Sequence, residues 1–508
     1  MSLNRREFAK AAVAATGVGF LAPARATCVD PMPAKWDETF DVIVVGSGFA
    51  GLAAAIEARA AGAKTVVLEK MPTIGGNSII NGGIFAAPGA PGQLNDKIKD
   101  SVDLLIEDML KAGEGLNHRE KVITTAKGSR DTYLWCRDYL GVEWNEDRIA
   151  MEGGHSVPRC AVTKSGFGSG IVIPEQKKCK ELGVELKTRS YVEQIIRDTD
   201  GVVKGLKVRK NYQFPKADSG KVIYIRATRG VVLCHGGFSA DVVYRQQHDP
   251  RLTKDISTTN QPGATSELWR EASRIGCNII QHDRIQCLPF SNPLEKGLGI
   301  AFTFHVGAAG AFGIWVSSNN GRRFVDEMAN RKVRADAIFA ERAKGGHCWS
   351  ICNEINTKRV ELNRPGIMEK CQSRGVVEKF NTLEELAKAK GIPFAGLKKS
   401  VDLYNQSLKN GKDSETGRYI NPAAKPLVDG PWYCSELMPK VHHTMGGILT
   451  NSLAQCLDVR TDQPIPGLYA AGESTGGVHG AVRLGSCAVL DCLVNGRIAG
   501  RECAKRMK

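Results

Sequence analysis

Asp41-Val42-Ile43-Val44-Val45 is a β-branched apolar run that ends at a glycine turn, and it reads as a buried strand. Gly46, Gly48 and Gly51 follow at the spacing Gly-x-Gly-x-x-Gly, and Leu52 to Ala61 reads as a helix. Thr65-Val66-Val67-Leu68 is the second strand and ends in Glu69, 23 residues after Gly46. This unit constrains the fold of the 508-residue chain more than any other feature. Gly46 permits the tight turn, Gly48 lets backbone approach a pyrophosphate, and Gly51 allows close packing of helix on strand. The helix N-terminus favours phosphate charge. Glu69 stands where an acid accepts from a ribose hydroxyl. A glycine turn without a ligand is the alternative; the strand–turn–helix–strand–acid context disfavours it. The fold class expected is α/β, with a Rossmann-like nucleotide-binding domain.

The segments that follow choose the nucleotide. Gly75-Gly76-Asn77-Ser78 and Asn81-Gly82-Gly83 come directly after the second strand. Near the C-terminus, Gly467 to Glu473 reads as a strand closing on a glycine turn, and Gly485-Ser486 opens a helix running to about Gly500. A helix N-terminus aimed at a flavin's pyrimidine edge would stabilise the anionic reduced form, which favours FAD over NAD.

The N-terminus carries Asn4-Arg5-Arg6-Glu7-Phe8-Ala9-Lys10, then a mildly apolar stretch from Ala11 to Leu21 and a small-residue site at Ala24-Arg25-Ala26. This pattern is that of a twin-arginine export signal, residues 1–26, cleaved after Ala26. Such a signal exports a folded protein, so the expected location is the periplasm with cofactor already bound. The segment is too short for a membrane span, and no other stretch is long and apolar enough for one. The formal charge is +15. Four positive charges and one negative leave with the signal, so the remainder carries about +12, which suits anionic substrates or an acidic electron-transfer partner. No nucleic-acid module accompanies the charge. Fifteen cysteines are scattered, with no Cys-x-x-Cys-His, so no c-type haem attaches here. Cys348 and Cys352 lack metal-site partners; buried thiols and no metal are expected.

Five segments resemble one family: residues 41–70 (DVIVVGSGFAGLAAAIEARAAGAKTVVLEK), 75–83 (GGNSIINGG), 321–331 (GRRFVDEMANR), 442–447 (HHTMGG) and 467–486 (GLYAAGESTGGVHGAVRLGS). From about Thr39 onward the chain resembles the flavoprotein portion of soluble periplasmic flavocytochrome c fumarate reductases, with their urocanate- and methacrylate-reducing relatives. These belong to the succinate dehydrogenase/fumarate reductase flavoprotein superfamily. The resemblance implies an FAD domain at residues 36–288 and 444–508, interrupted by an α+β capping domain at 289–443. It places FAD contacts on Ala50, Glu69, Asn77, Gly82, Gly83, Glu473, Ala488 and Val489, beside the turn residues Gly46, Gly48, Gly51, Ser78 and Ser486, which are cofactor-binding candidates as well. No histidine occupies the GGNSIINGG loop, where membrane-bound relatives attach FAD covalently, so FAD is expected to bind non-covalently. Relatives carry Gly-Asp-Gly around Ser266, which this chain lacks. The haem domain is absent too, so a separate periplasmic cytochrome c is expected as electron donor.

The same resemblance assigns the chemistry. Arg331 matches the proton-donating arginine, and His443 and Arg483 match ligands of a substrate carboxylate. From spacing alone, Arg331 reads instead as a surface helix residue paired with Glu327. The cap ligands for a second carboxylate fall on Leu288 and Val306, and the family's Glu–Arg proton relay falls on Gly307 and Gly310. A Leu/Val pocket does not offset the desolvation of a carboxylate, which costs several kcal/mol unpaired. The expected substrate is therefore a monocarboxylic α,β-unsaturated acid with an apolar end, such as acrylate, methacrylate or a cinnamate-like acid. His305, Glu327 or a water chain would resupply Arg331, and Phe312 and Trp315 are candidate pocket aromatics. The alternatives are a fumarate reductase using His305 as the second ligand, a dehydrogenase of an apolar ketosteroid-like substrate, and a non-catalytic electron carrier.

Overall fold

The computed structural model describes residues 30–507 apart from Asp96; the export signal expected at residues 1–26 lies outside the described residues. A central sheet runs in the order Gln455–Leu457, Pro464–Ala470, Lys221–Leu233, Glu38–Val45, Thr65–Leu68, Glu185–Lys187. All neighbours are parallel except the first pair. Along the strand Glu38–Val45, Val42 and Val44 enter one core and Phe40, Ile43 and Val45 another. Both faces of the sheet are therefore covered, which is why the strand reads as a continuous apolar run rather than an alternating one.

One face is covered by the helices Phe49–Ala60 and Cys487–Lys505. They meet through small residues. A Cβ on Gly496 would lie 2.4 Å from the Ala50 carbonyl oxygen, and one on Gly500 would lie 2.1 Å from that of Ala54. This close approach holds the N-terminus of the C-terminal helix beside the Gly46–Gly51 turn. The other face carries the antiparallel strands Ser190–Arg197 and Val203–Lys210, which pair on to Lys221–Leu233. Their turns fall at Asp200-Gly201 and Ser219-Gly220, as the sequence predicts.

The middle of the chain builds a second, four-stranded sheet in the order Ile314–Ser317, Cys348–Asn353, Trp432–Leu437, Glu378–Phe380. Helices Arg331–Ala343, Leu383–Lys390 and Phe394–Asn410 accompany it, the second opened by a capping box from Thr382 to Glu385. Trp315 is fully buried in the core of this unit, and Phe312 lies under the Arg359 guanidinium at 4.9 Å. Strands Ile285–Leu288 and Lys440–Thr444 pair at the junction of the two units. Every cysteine among the described residues is a free thiol, and all but Cys492 are buried. No helix among them is long and apolar enough to cross a membrane.

Candidate active site

A cleft opens at the carboxyl ends of the central strands, where doubly wound sheets bind nucleotides. Gly46, Gly48, Ala50, Glu69, Asn77, Ser78 and Glu473 line it. Gly46 has φ +100°, and a Cβ there would lie 2.2 Å from the Cys234 carbonyl oxygen. Gly51 serves packing rather than contact, since its Cβ would meet the Gly46 carbonyl oxygen at 1.9 Å. Gly48 is different: the nearest obstacle is the flexible Ser78 hydroxyl at 2.9 Å, so its backbone faces the cleft. Gly76 and Gly236, also lining the cleft, would direct a Cβ into open space. The helix behind Gly48 has no cap from Gly48 and no acid in its first turn; the Phe49 N–H donates to the Ser78 hydroxyl at 3.0 Å, and the rest of the N-terminus suits an anion. Gly46→Ala is expected to lower FAD content and the Tm together, through overpacking that costs about 1–3 kcal/mol; flavin absorbance and thermal melts check it.

Glu69 is held from behind. The Ser47 hydroxyl donates to it at 2.6 Å and the Met71 N–H at 2.9 Å, which fixes the carboxylate at the cleft wall. Asn77 Oδ1 accepts from the Gln261 N–H at 2.7 Å, tying the 260–267 loop to the cleft. In that loop Thr265 and Glu267 line the cleft, whereas Ser266 is buried and donates to Asp241 at 2.6 Å. The loop 81–83 is set by Gly83, whose φ is +59° and whose Cβ would lie 2.3 Å from the Phe167 carbonyl oxygen; Gly82 precedes it in the same turn. At the C-terminal helix Ser486 takes φ +61°, and its hydroxyl donates to the Cys160 sulfur at 3.0 Å. That helix N-terminus is likewise uncapped, with Val489 buried and Ala488 half-buried in its first turn.

Glu473 joins the cleft to a basic chamber. Its carboxylate accepts from the Thr444 N–H at 3.0 Å and lies 3.4 Å from His443 Nδ1. Burial raises its pKa to about 7. His443 Nε2 is buried with no protein partner, and its ring meets His479 edge-on at 5.4 Å. His442 lies beside it with Nδ1 2.7 Å from the Thr259 hydroxyl. The strand register shifts between Gln286 and Cys287, so His442 is the extra residue of a bulge. Both histidines consequently feel Arg331 and Arg483. Burial and the two guanidiniums hold both imidazoles neutral.

Arg483 is buried with Nε unpartnered, and burial followed by repulsion from Arg331 lowers its pKa to about 9. Arg331 is the first residue of its helix, behind Asn330, whose side chain accepts from the Val333 N–H at 3.0 Å. Burial lowers its proton affinity against the pull of Glu152, whose Oε2 is 3.8 Å from Nη2. Its Nη1 is buried without a partner. The pairing of Arg331 with Glu327 that spacing alone suggests does not form. Glu327 is fully buried and accepts from Arg323 at 2.7 and 2.8 Å and from Arg418 at 3.0 Å, with Asp413 completing the network. This network fixes the segment leading into Arg331.

His305 does not reach the chamber as a free group. Its Nδ1 is 2.8 Å from the Ser350 hydroxyl and its Nε2 3.2 Å from that of Ser435, so both nitrogens are occupied inside the cap. Gly307 directs its open side toward Val360 at 3.3 Å, Val306 is half-buried, and Leu288 is buried opposite Lys440. His442 and Glu152 are the site residues that sequence reasoning did not single out. A second histidine in His442-His443 was the one available signal, and Glu152 has none.

An open α/β sheet with a Gly-x-Gly-x-x-Gly turn, a fixed acid and two helix ends without side-chain caps, beside a cluster of basic side chains, defines an FAD-dependent oxidoreductase. The chain belongs to the FAD binding domain family, whose profile matches residues 41–489. It is 38% identical over 501 residues to an acrylate reductase flavoprotein subunit of Shewanella woodyi, covering 98% of each chain. It is 33% identical to a urocanate reductase of Eggerthella lenta, across 94% of this chain and 77% of that one. The open conformation of a flavocytochrome c3 fumarate reductase superposes with a TM-score of 0.75 at 30% identity, covering 100% of this chain and 82% of the other.

Proposed function

We propose that this chain reduces the carbon–carbon double bond of a conjugated monocarboxylic acid, with acrylate-like acids as the substrate class. The observation that carries the reading is the basic cluster itself: the buried Arg483 guanidinium, the half-buried Arg331 and two neutral imidazoles beside Glu473 at the end of the FAD cleft, with no ionisable side chain from Val306 to Ser317. The acrylate and urocanate reductases among the relatives support it. Gly48, Glu69, Asn77, Ser78 and Glu473 would hold FAD non-covalently, with Gly82, Gly83, Ser486, Ala488 and Val489 at its flavin end. When bound there, reduced FAD would supply the hydride for the acid's β-carbon. Arg483, with His443 and His442, holds the carboxylate and draws electron density toward it as charge develops. Arg331 delivers a proton to the α-carbon. Leu288, Val306 and Gly307 would accept the acid's apolar end. The electrons come from a separate cytochrome c in the periplasm, to which the N-terminal signal would send the folded enzyme.

Arg334 supports a second reading, a dicarboxylate such as fumarate. It is buried beside Arg331, over the Phe290 ring at 5.2 Å, with Nε unpartnered. Anaerobic oxidation of reduced methyl viologen with acrylate, methacrylate, cinnamate, urocanate and fumarate separates the two. The expected result is kcat/KM for an apolar monocarboxylate at least tenfold above fumarate, the size that one unmatched polar contact produces. Fumarate turned over as fast as any monocarboxylate would sink the reading.

A further inference from the structure

An arginine that gives up a proton each turnover needs it returned, because a guanidinium is a poor acid and a neutral guanidine cannot act again. On the cap, Arg334 lies beside Arg331 as a second guanidinium whose Nη1 donates to the Glu327 carbonyl, and the ion pair of Arg331 is made with Glu152 instead. Residues 306–317 carry no group that titrates, His305 has both nitrogens engaged, and Glu327 is committed to Arg323 and Arg418. Glu473 faces His443 and Thr444. We infer that Glu152, reaching across from the FAD domain, is the proton-relay residue that acts through Arg331, an assignment that rests on the enoate-reductase reading.

Three observations carry it. Glu152 Oε2 lies 3.8 Å from Arg331 Nη2, and it is the carboxylate that raises the arginine's proton affinity. Such contacts are commonly long before substrate closes the site. Its side chain is 27% exposed against 19% for Arg331, so Glu152 is the more open of the pair to solvent, while the arginine keeps Nη1 buried. Finally, the surroundings are shaped for it. A Cβ on Gly485 would lie 2.5 Å from Glu152 Cβ and 3.1 Å from its Oε2, so only glycine leaves the carboxylate room. The segment behind is fixed by His155, whose Nε2 is 2.8 Å from the Gly485 carbonyl oxygen, and by Arg159, buried against Asp100 at 2.8 Å and Asp108 at 2.5 Å.

The relay balances without electrons. Arg331 passes its Nη proton to the substrate α-carbon, protonated Glu152 returns one to the guanidine, and water reprotonates Glu152. One proton passes through this relay per double bond reduced; the second hydrogen and the electron pair would be supplied as hydride by reduced flavin, which takes up its own proton when the electron donor re-reduces it. Arg331, Arg483, His155 and Cys160 are the titratable groups that face Glu152.

The test uses the FAD-loaded enzyme with the best acid of the viologen panel. Glu152→Gln keeps the shape and removes the proton. The expected result is kcat lowered about 10²-fold, the scale of one acid–base group, with KM and flavin content nearly unchanged and most of kcat recovered in Glu152→Asp. The solvent deuterium isotope effect on kcat should rise in Glu152→Gln, because proton delivery becomes limiting. An active wild type with Glu152→Gln within about threefold of its kcat overturns the relay alone. So does a loss in Glu152→Gln that tracks lost flavin or raised KM, or one that Glu152→Asp does not recover. A wild type inert toward every acid overturns the enoate reading instead.

Discussion

Arg331→Ala is expected to lower kcat on the preferred acid by about 10³-fold while the protein keeps its FAD and its thermal stability. The reasoning begins with what Arg331 does not do. It takes no part in the Arg323–Glu327–Asp413–Arg418 network, so its removal leaves that buried lattice whole. The helix cap belongs to Asn330, and alanine is a good residue at the first helical position. The one ion pair lost, at 3.8 Å to the part-exposed Glu152, is of the kind worth little to stability. What disappears is a half-buried donor with an unpartnered, buried Nη1 and burial lowering its hold on the proton. Arg331→Lys should fall between the two, because an ammonium can donate but ends short of the same position. Steady-state rates with reduced viologen, alongside flavin absorbance and a melt, check all three quantities. A mild loss in Arg331→Ala, under tenfold, would show that Arg331 only orients the substrate.

The nucleotide half was legible because its residues are dictated by backbone. A turn at φ +100° and a helix so close that a Cβ on Gly51 would lie 1.9 Å from the Gly46 carbonyl oxygen admit only Gly46 and Gly51, and those positions show in a sequence. The β-meander was legible for a similar reason, its turns being marked by Asp-Gly and Ser-Gly. The chamber was less so, because it depends on facts that no local pattern carries. The bulge at Gln286 and Cys287 decides that both His442 and His443 approach the arginines. His305 looks available until Ser350 and Ser435, each distant in sequence, are seen to take both its nitrogens. Glu327 sits four residues before Arg331, the spacing of a helix pair, yet the helix begins only at Arg331 and the acid is turned to Arg323 and Arg418. Glu152 follows the strand Trp144–Ala150, far from Arg331 in sequence, and its approach to that arginine shows only in the folded chain.

Arg483→Met should weaken the handling of substrate most, and should do so while making the empty enzyme no less stable. Arg483 is a buried guanidinium with Nε unpartnered and a single long bond, 3.3 Å, from Nη1 to the neighbouring Leu484 carbonyl. No carboxylate among the described residues lies within ion-pair distance of it. A second guanidinium, Arg331, adds repulsion, and together these bring its pKa to about 9. Such a charge is costly to hold without a counterion. The substrate carboxylate is that counterion. Removing one partner of a buried charge pair costs about 2–5 kcal/mol, so kcat/KM should fall roughly 30- to 5000-fold. Methionine has similar length and no charge, so without ligand the Tm should stay level or rise. A saturated monocarboxylic product should raise the Tm of wild type and leave that of Arg483→Met unmoved. The two readings are linked. If Arg483→Met loses kcat/KM and destabilises the empty protein equally, Arg483 is a structural ion and the carboxylate is held elsewhere. If the Tm holds while both turnover and ligand stabilisation vanish, the unpaired guanidinium is the anchor for the acid.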